Sequence, residues 1–276
     1  MPCSRLLRAD LGRAWRPGSR SAVIVAVCCC IASLSAPTRA ALSDEIQVYT
    51  DDINAPGAFG LELHVNATPK GRLAPDYPGE SVPHHGLRVT PELSYGLTPT
   101  LEAGLYLPTN RDPNGQFEMA GAKLRLKWLP LRPEEGASGW FLGANGELSR
   151  LKKRFSESRS SFELRLVGGY RQEAWLVAVN PVFGWNLSDG LRSGTPDLSL
   201  GTKVSRTLAE GTALGLEYYS EFGTTSRVLP WSQQSNILFA TLDLSRKGWD
   251  FNFGVGWGLT RSADDVTVKA IVGFPF

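Results

Sequence analysis

Apolar and polar side chains alternate with a period of two along most of the chain after residue 56. In the last segment, every second residue of the stretch 266–274 is apolar, and the other parity carries Thr267 and Lys269. A strand points successive side chains to opposite faces, whereas an amphipathic helix repeats every 3.6 residues. The pattern therefore predicts β-strands, and no segment of useful length has a competing helical period.

Short turns alternate with longer polar loops between the predicted strands. The strands are predicted near residues 57–66, 86–97, 101–108, 117–129, 139–149, 160–171, 173–186, 196–206, 212–222, 235–246, 249–259 and 265–276, and the long loops near 67–85, 109–116, 150–159, 187–195 and 223–234. The connection 130–138 is longer than a tight turn and departs from this alternation. Short turns at one end and long loops at the other are typical of outer-membrane barrels. We therefore predict an all-β chain, folded as an antiparallel transmembrane β-barrel of about twelve strands with periplasmic termini.

Aromatic residues at strand ends favour a membrane barrel over an exported soluble barrel or sandwich, which would alternate in the same way. Trp175 and Trp185 share one parity and lie ten residues apart. At a tilt near 40° this spacing covers roughly 25 Å along the barrel axis, the height of the apolar band. The predicted aromatic girdle comprises Trp128, Trp140, Trp175, Trp185, Trp249 and Trp257.

Glycine is frequent on the polar parity, where Gly254, Gly256 and Gly258 follow one another. Small residues mixed with charges suit a crowded, wet lumen better than a solvated outer surface. The position of these glycines therefore also favours the membrane barrel.

The chain ends on Phe276, which shares the outward parity with Phe274. This ending resembles the C-terminal signature by which bacterial outer-membrane barrels are delivered to their assembly machinery. The resemblance implies that machinery as a partner of the last strand. Pro275 interrupts the strand at its extreme end, where a missing N–H matters least.

The N-terminus has the layout of a cleaved secretory signal. An arginine-rich stretch precedes the apolar run Ala22–Leu34, which is too short to span a bilayer as a helix, and small residues lead to Ala40. We predict a signal peptide over 1–40, an acidic segment over 41–56 that is either periplasmic or lumenal, and the barrel over 57–276. A lipoprotein signal is the alternative, and the residues before the cysteines fit it poorly.

Cysteine usage and charge exclude several classes of function. The four cysteines are Cys3, Cys28, Cys29 and Cys30, so the mature chain has no disulfide framework, thiolate metal site or cysteine nucleophile. The net charge of +2 does not indicate a nucleic-acid partner. No later stretch is apolar enough for a membrane helix, so a membrane location requires a closed barrel.

Two stretches of the sequence carry a family resemblance. The start, with Asp44–Tyr49 and Gly57–His64, and the end, with Gly254–Thr260 and Lys269–Phe274, resemble the outer-membrane family named for the MetA pathway of phenol degradation. The resemblance covers most of the mature chain through short motifs. It implies a barrel that passes aromatic compounds, and it carries over no catalytic signature.

Parity assigns a mixed set of side chains to the lumen. The predicted lumen-lining residues are Glu62, His64, Arg88, Glu92, Glu102, Tyr106, Lys123, Arg125, Lys127, Phe141, Glu147, Glu163, Arg165, Lys203, Glu217, Tyr219, Phe239, Asp243 and Lys269. Charges of both signs favour ion pairs across strands, and a field that sorts solutes is the alternative. Twelve strands give a backbone radius of roughly 12 Å, so side chains leave a narrow bore or a filled barrel.

Catalytic and metal sites have little support in the sequence. A lipid hydrolase of the outer membrane needs a histidine within reach of a serine on the lipid-facing wall, but the parity of His64 points inward. His84 and His85 are adjacent in a predicted loop, which is weak evidence for a metal site. We predict no catalytic residues, no metal site and no cofactor.

The leading hypothesis is a narrow channel for small solutes, among them aromatic or hydrophobic ones. The alternative is a structural or surface-interaction barrel acting through its long loops, and an outer-membrane lipid hydrolase is less favoured. The expected surroundings are outer-membrane lipid and lipopolysaccharide, whose phosphates suit the basic stretch Arg150–Arg154.

Overall fold

The structure is a computed structural model that describes residues 45–111, 114–134, 136–191 and 194–274. The predicted signal peptide and Phe276 lie outside the described residues. The strands are β1 (Phe59–Lys70), β2 (Leu87–Thr98), β3 (Leu101–Tyr106), β4 (Thr109–Arg111), β5 (Phe117–Met119), β6 (Gly121–Leu131), β7 (Gly139–Leu151), β8 (Ser160–Gln172), β9 (Trp175–Asn186), β10 (Asp197–Ala209), β11 (Thr212–Thr224), β12 (Arg227–Val228), β13 (Ser235–Arg246), β14 (Trp249–Gly258) and β15 (Val266–Phe274). A single 3₁₀ turn, Trp231–Gln233, accompanies them in the described chain. The described residues include no helix long and apolar enough to cross a membrane.

Within the described residues, twelve of these strands form one closed antiparallel barrel. The strand order is β1-β15-β14-β13-β11-β10-β9-β8-β7-β6-β3-β2, and β1 also pairs with β2. Leu63 lies opposite Val272 on one side and opposite Pro91 on the other, so the first strand joins the last and completes the wall. The predicted fold class is confirmed.

The predicted strand 117–129 is wrong in one respect, because it is two strands. β5 and β6 are separated at Ala120, whose N–H bonds to the carbonyl of Pro108. Gly121 follows with a φ of 155°, a backbone conformation that L side chains rarely adopt. Pro108 separates β3 from β4 in the facing strand because proline has no N–H for the ladder. β4 and β5 therefore extend the barrel wall as a separate hairpin.

The connections have the predicted asymmetry. Two-residue turns join β2 to β3, β8 to β9, β10 to β11 and β13 to β14 at one end, which we call the short-turn end. In the last of these, Lys247 and Gly248 have φ values of 52° and 82°, as a type I′ hairpin turn requires. The connection 132–138 is longer, as expected from the sequence. The loops at the other end, the long-loop end, include 71–86 and 225–234.

The outer face of the barrel is apolar and the inner face is polar. Leu124 and Trp128 on β6 are 61% and 53% exposed on the outside, whereas Lys127 between them in the chain is 8% exposed. This polarity is the reverse of a soluble protein and matches a barrel surrounded by lipid. The alternative of a soluble barrel is therefore wrong.

The six predicted girdle tryptophans all lie near strand ends. Trp185 is half-buried and the other five are exposed on the outer face. Those at the short-turn end are Trp128, Trp140, Trp175 and Trp249, and those at the long-loop end are Trp185 and Trp257. The Phe274 ring packs on Trp249 with centroids 4.9 Å apart, and its role in assembly remains a prediction.

Inward glycines lie beside the largest inward rings. A Cβ added at Gly256 would stand 2.6 Å from ring carbons of Phe239, and one at Gly169 would stand 2.2 Å from Phe141. Each ring lies against the glycine that faces it on the neighbouring strand, where there is no side chain. The glycines on the polar parity therefore make room inside the barrel.

We expect Gly256→Ala to lower the free energy of unfolding by about 1–3 kcal/mol, because the methyl group overpacks against Phe239. Guanidinium titration in detergent micelles, followed by tryptophan fluorescence, measures this change. Gly201→Ala is the matched control, since its Cβ would meet nothing closer than 3.5 Å. Equal losses in the two variants, or no recovery when Phe239→Leu is added to Gly256→Ala, would contradict the explanation.

Candidate functional site: the filled lumen

Residues 45–56 run inside the barrel. Glu45, Ile46, Val48 and Tyr49 are buried although none of them belongs to a strand. Asn180 on β9 accepts a hydrogen bond from the Tyr49 N–H at 2.6 Å and donates one to the Tyr49 carbonyl at 3.1 Å. A single amide side chain thus replaces the two hydrogen bonds that a neighbouring strand would give.

Cationic side chains from separate parts of the wall bind the main-chain carbonyls of this segment. Arg165 on β8 donates to the carbonyl of Gln47 at 2.9 Å, and Lys269 on β15 donates to that of Ile46 at 3.0 Å. Lys127 on β6 donates to the carbonyl of Asp52 at 2.5 Å. Because β6 and β15 are not neighbours in the barrel, the segment must lie across the lumen between them.

Tyr49 is the centre of these contacts. Its hydroxyl lies 2.9 Å from that of Tyr106, and its ring is surrounded by cations. The guanidinium of Arg165 lies 4.6 Å from the ring centroid and the ammonium of Lys127 lies 5.0 Å from it. The attraction between a desolvated cation and an aromatic face is about 2 kcal/mol or more. The ring therefore holds the segment to two walls of the barrel.

Acidic and amide groups fix the segment near the short-turn end. Arg171 makes two hydrogen bonds to Asp51, at 2.8 and 2.5 Å. The Asn54 N–H donates to Glu102 at 2.7 Å. The acidic character of the segment thus complements an arginine of the wall.

Two charge networks line the wall around the segment. In the first, Glu217 lies 2.5 Å from Lys269 and 3.2 Å from Lys203, and Lys203 lies 2.9 Å from Asp243. The Tyr219 hydroxyl donates to Glu217 at 2.6 Å. Lys269 and Glu217 are almost completely buried, so each neutralises the other away from water.

The second network involves the basic stripe on the inner face of β6, which comprises Lys123, Arg125 and Lys127. Arg125 pairs with Glu92 and, at 2.7 Å, with Glu102, while Lys123 lies 2.9 Å from Glu147. The ion pairing across strands that the mixture of charges predicts is observed for Lys123 and Arg125, whereas Lys127 donates to the carbonyl of Asp52. Carboxylates of the wall thus offset the charges of Lys123 and Arg125.

The nineteen predicted lumen residues are all at least partly buried. The buried ones are His64, Arg88, Glu92, Glu102, Tyr106, Lys127, Phe141, Glu147, Lys203, Glu217, Phe239 and Lys269, and the half-buried ones are Glu62, Lys123, Arg125, Glu163, Arg165, Tyr219 and Asp243. Their part in transport stays a prediction. Asn180 was not among them, although its inward parity between Ala178 and Val182 could have indicated it.

Cavities lie on both sides of the segment. One of about 630 Å³ opens towards the short-turn end, where Asp52 and Glu62 line it. Another, of about 200 Å³, lies towards the long-loop end and is lined by Ile46, Val182 and Phe239 among others. The segment therefore occupies the region between two spaces within the same barrel.

Loops pack over the long-loop end. The Arg72 N–H donates to Asp264 at 2.9 Å, and the Ser81 N–H donates to the carbonyl of Arg154 at 2.8 Å. Burial raises the pKa of Asp264 above its ordinary value, and the hydrogen bond and charge of Arg72 oppose that increase. The loops after β1, β7 and β14 are thus joined to one another at the mouth of the barrel.

Comparison with solved structures places the fold among outer-membrane barrels. The COG4313 outer membrane channel from Pseudomonas putida F1 is similar over 84% of this chain and 100% of its own, with 14% identity and a TM-score of 0.55. A KdgM porin is similar over 79% of this chain and 99% of its own, with 11% identity and a TM-score of 0.51. At these identities the likeness establishes the fold alone.

No profile of a known protein family matches the sequence, and no curated protein matches it. The likeness to outer-membrane barrels bears out the barrel part of the family resemblance. It does not confirm the specific MetA-pathway family.

Proposed function

We propose that this chain is an outer-membrane channel for small solutes and that residues 45–56 form its constriction. The observation that carries the proposal is the pair of spaces on either side of this segment, about 630 and 200 Å³ in volume. A solute entering from the long-loop end meets the smaller space first. Its way to the short-turn end passes the segment around Tyr49.

The contacts that residues 45–56 make with the wall support a constriction that can move aside. Its residues 45–54 pair with no strand of the described chain, and side chains such as Asn180, Arg165 and Lys269 bind its backbone. Water can replace side-chain hydrogen bonds of this kind at a net cost of about 1–3 kcal/mol each, the upper part of the range applying to the charged donors. The barrel ladder is complete without the segment, so the segment can shift while the wall stays closed.

The lining of the smaller space supports aromatic or hydrophobic solutes. Ile46, Val182 and Ile237 are among the apolar residues that line it, beside polar groups such as Arg165 and Glu221. Sites for small organic molecules combine apolar surface with placed polar groups, and this space offers both. The resemblance to the MetA-pathway family points to the same class of solute.

Liposome swelling with purified protein tests the channel. We expect vesicles containing the protein to swell in small solutes and the rate to fall steeply with solute size, because the segment narrows the lumen. At equal size, aromatic solutes should enter faster than saturated ones. Failure to pass both ions and small solutes would show that the channel proposal is wrong.

The proposal includes export through the signal peptide and location in the outer membrane of a Gram-negative bacterium. Lipid and lipopolysaccharide would surround the barrel, and the assembly machinery would recognise its last strand. The mature chain should begin after Ala40 and fractionate with outer membranes. Its mobility in detergent gels should change on boiling, as closed barrels resist unfolding before heating. A soluble periplasmic protein would contradict this location.

A further inference from the structure

Two carboxylates and one imidazole converge on the inner face of β1 and β2. Glu62 lies directly opposite Glu92 in the strand register, and His64 follows two residues later on the same face of β1. One possible ligand atom from each of the three residues lies within 4.8 Å of the other two. The register of two neighbouring strands therefore brings together a mixed nitrogen and oxygen donor set.

The spacing of these atoms is that of a metal site. His64 Nε2 lies 3.0 Å from Glu92 Oε2 and 3.7 Å from Glu62 Oε2. Ligands of a tetrahedral zinc ion, bound at 2.0–2.1 Å, are about 3.3 Å apart. The two distances to the imidazole bracket this value, and the two carboxylate oxygens lie within 4.8 Å of each other, so the three atoms are close enough to approach one ion.

The hydrogen bonding within the cluster is incomplete. His64 is fully buried, and its Nδ1 has no hydrogen-bond partner among the described residues. A proton on His64 Nε2 forms a hydrogen bond with Glu92 Oε2 at 3.0 Å. The distance of 3.7 Å from Nε2 to Glu62 Oε2 is too long for a second hydrogen bond. One proton therefore leaves one of the two carboxylates without that partner, whereas a divalent cation would bind both.

We propose that Glu62, His64 and Glu92 bind a divalent transition-metal ion of the zinc type on the lumenal wall. One imidazole and two carboxylates suit Zn²⁺, whereas Mg²⁺ and Ca²⁺ prefer oxygen donors alone. Three protein ligands leave the fourth position of a tetrahedral ion open to water or to a solute.

The surroundings of the site support this assignment. The other oxygen of Glu92, Oε1, faces Arg125, whose guanidinium lies 5.9 Å from the Tyr49 ring and 5.8 Å from the Tyr106 ring. Groups that fix a ligand in this way are a regular part of metal sites. Glu62 has a 39% exposed side chain and lines the larger cavity, which gives an ion a path to the site.

Zinc binding to the untagged full-length mature protein tests the proposal. After treatment with EDTA, the protein in detergent is dialysed against ZnCl2, and bound metal is measured by mass spectrometry. We expect one Zn²⁺ per chain and at least a tenfold loss of affinity in His64→Ala and in Glu62→Gln. The matched control, His84→Ala with His85→Ala, should keep the affinity of the wild type. Unchanged affinity in His64→Ala, or loss confined to the control, would overturn the proposal.

X-ray absorption of the zinc-loaded wild-type protein gives a second test that does not depend on the folding of a variant. We expect one imidazole nitrogen and otherwise oxygen ligands. Two imidazoles would indicate His84 and His85 instead and would overturn the assignment. Because both measurements report binding alone, their failure would leave the proposed channel unaffected, and failure of solute transport would leave the metal site unaffected.

Discussion

Single-channel conductance is expected to rise several-fold when residues 45–56 are deleted. The deletion removes Tyr49 and the backbone that fills the lumen between Lys127 and Lys269, while every strand of the barrel ladder remains. The two cavities then join, and water fills the space between them. Planar-bilayer recording of the deletion variant beside the wild type measures the change.

Two controls separate unblocking from a damaged barrel. The deletion variant should keep the heat-modifiable mobility of the wild type, because its wall is complete. Asn180→Ala leaves the segment in place but removes both hydrogen bonds to Tyr49, so we expect more frequent openings than in the wild type. An unchanged conductance in a correctly folded deletion variant would mean that the segment does not lie in the conducting path.

Glu217→Ala is expected to lower the free energy of unfolding by about 3–5 kcal/mol, because it leaves buried charge without its partner. Lys269 is almost completely buried, and Glu217 is the carboxylate within ion-pair distance of it among the described residues, so the variant leaves its ammonium group with the carbonyl of Ile46 and nearby rings. Lys203 would keep Asp243. Guanidinium unfolding in micelles, followed by tryptophan fluorescence, measures the loss.

A double variant tests whether the loss comes from uncompensated charge. Glu217→Leu combined with Lys269→Met removes both charges and fills the same space with apolar side chains. We expect this protein to regain most of the stability lost in Glu217→Ala, because replacing a buried ion pair by packed apolar groups is often neutral or favourable. A loss below about 1 kcal/mol in Glu217→Ala would contradict the assigned role of the network.

The barrel was predictable because parity is a property of neighbouring residues. The alternation in β15 and β6 places Lys269 and Lys127 inside and Val268 and Leu126 outside without knowledge of any partner strand. Strand ends were less predictable. The break at Ala120 depends on Pro108 in the facing strand, which lies twelve residues earlier in the chain.

The contents of the lumen were not predictable in the same way. Tyr49 meets Tyr106 and Asn180, which lie 57 and 131 residues away in sequence, and Ile46 meets Lys269 at a separation of 223. The segment has no alternation of its own, so its position was left open between periplasm and lumen.

The cluster of Glu62, His64 and Glu92 was likewise not predictable from the sequence. Parity alone predicts that all three side chains face inward. Their approach depends on the register that sets Glu62 opposite Glu92, which two separate stretches of sequence do not specify.

The contact between Lys269 and Ile46 also links the segment inside the lumen to the closure of the barrel. β15 is the last described strand of the chain, and the wall cannot close before it pairs with β1. The same strand carries the ammonium group that binds the carbonyl of Ile46. The first described residues therefore share the strand that supplies one of their anchors with the closing seam, so a chain truncated before β15 lacks both the seam and that anchor.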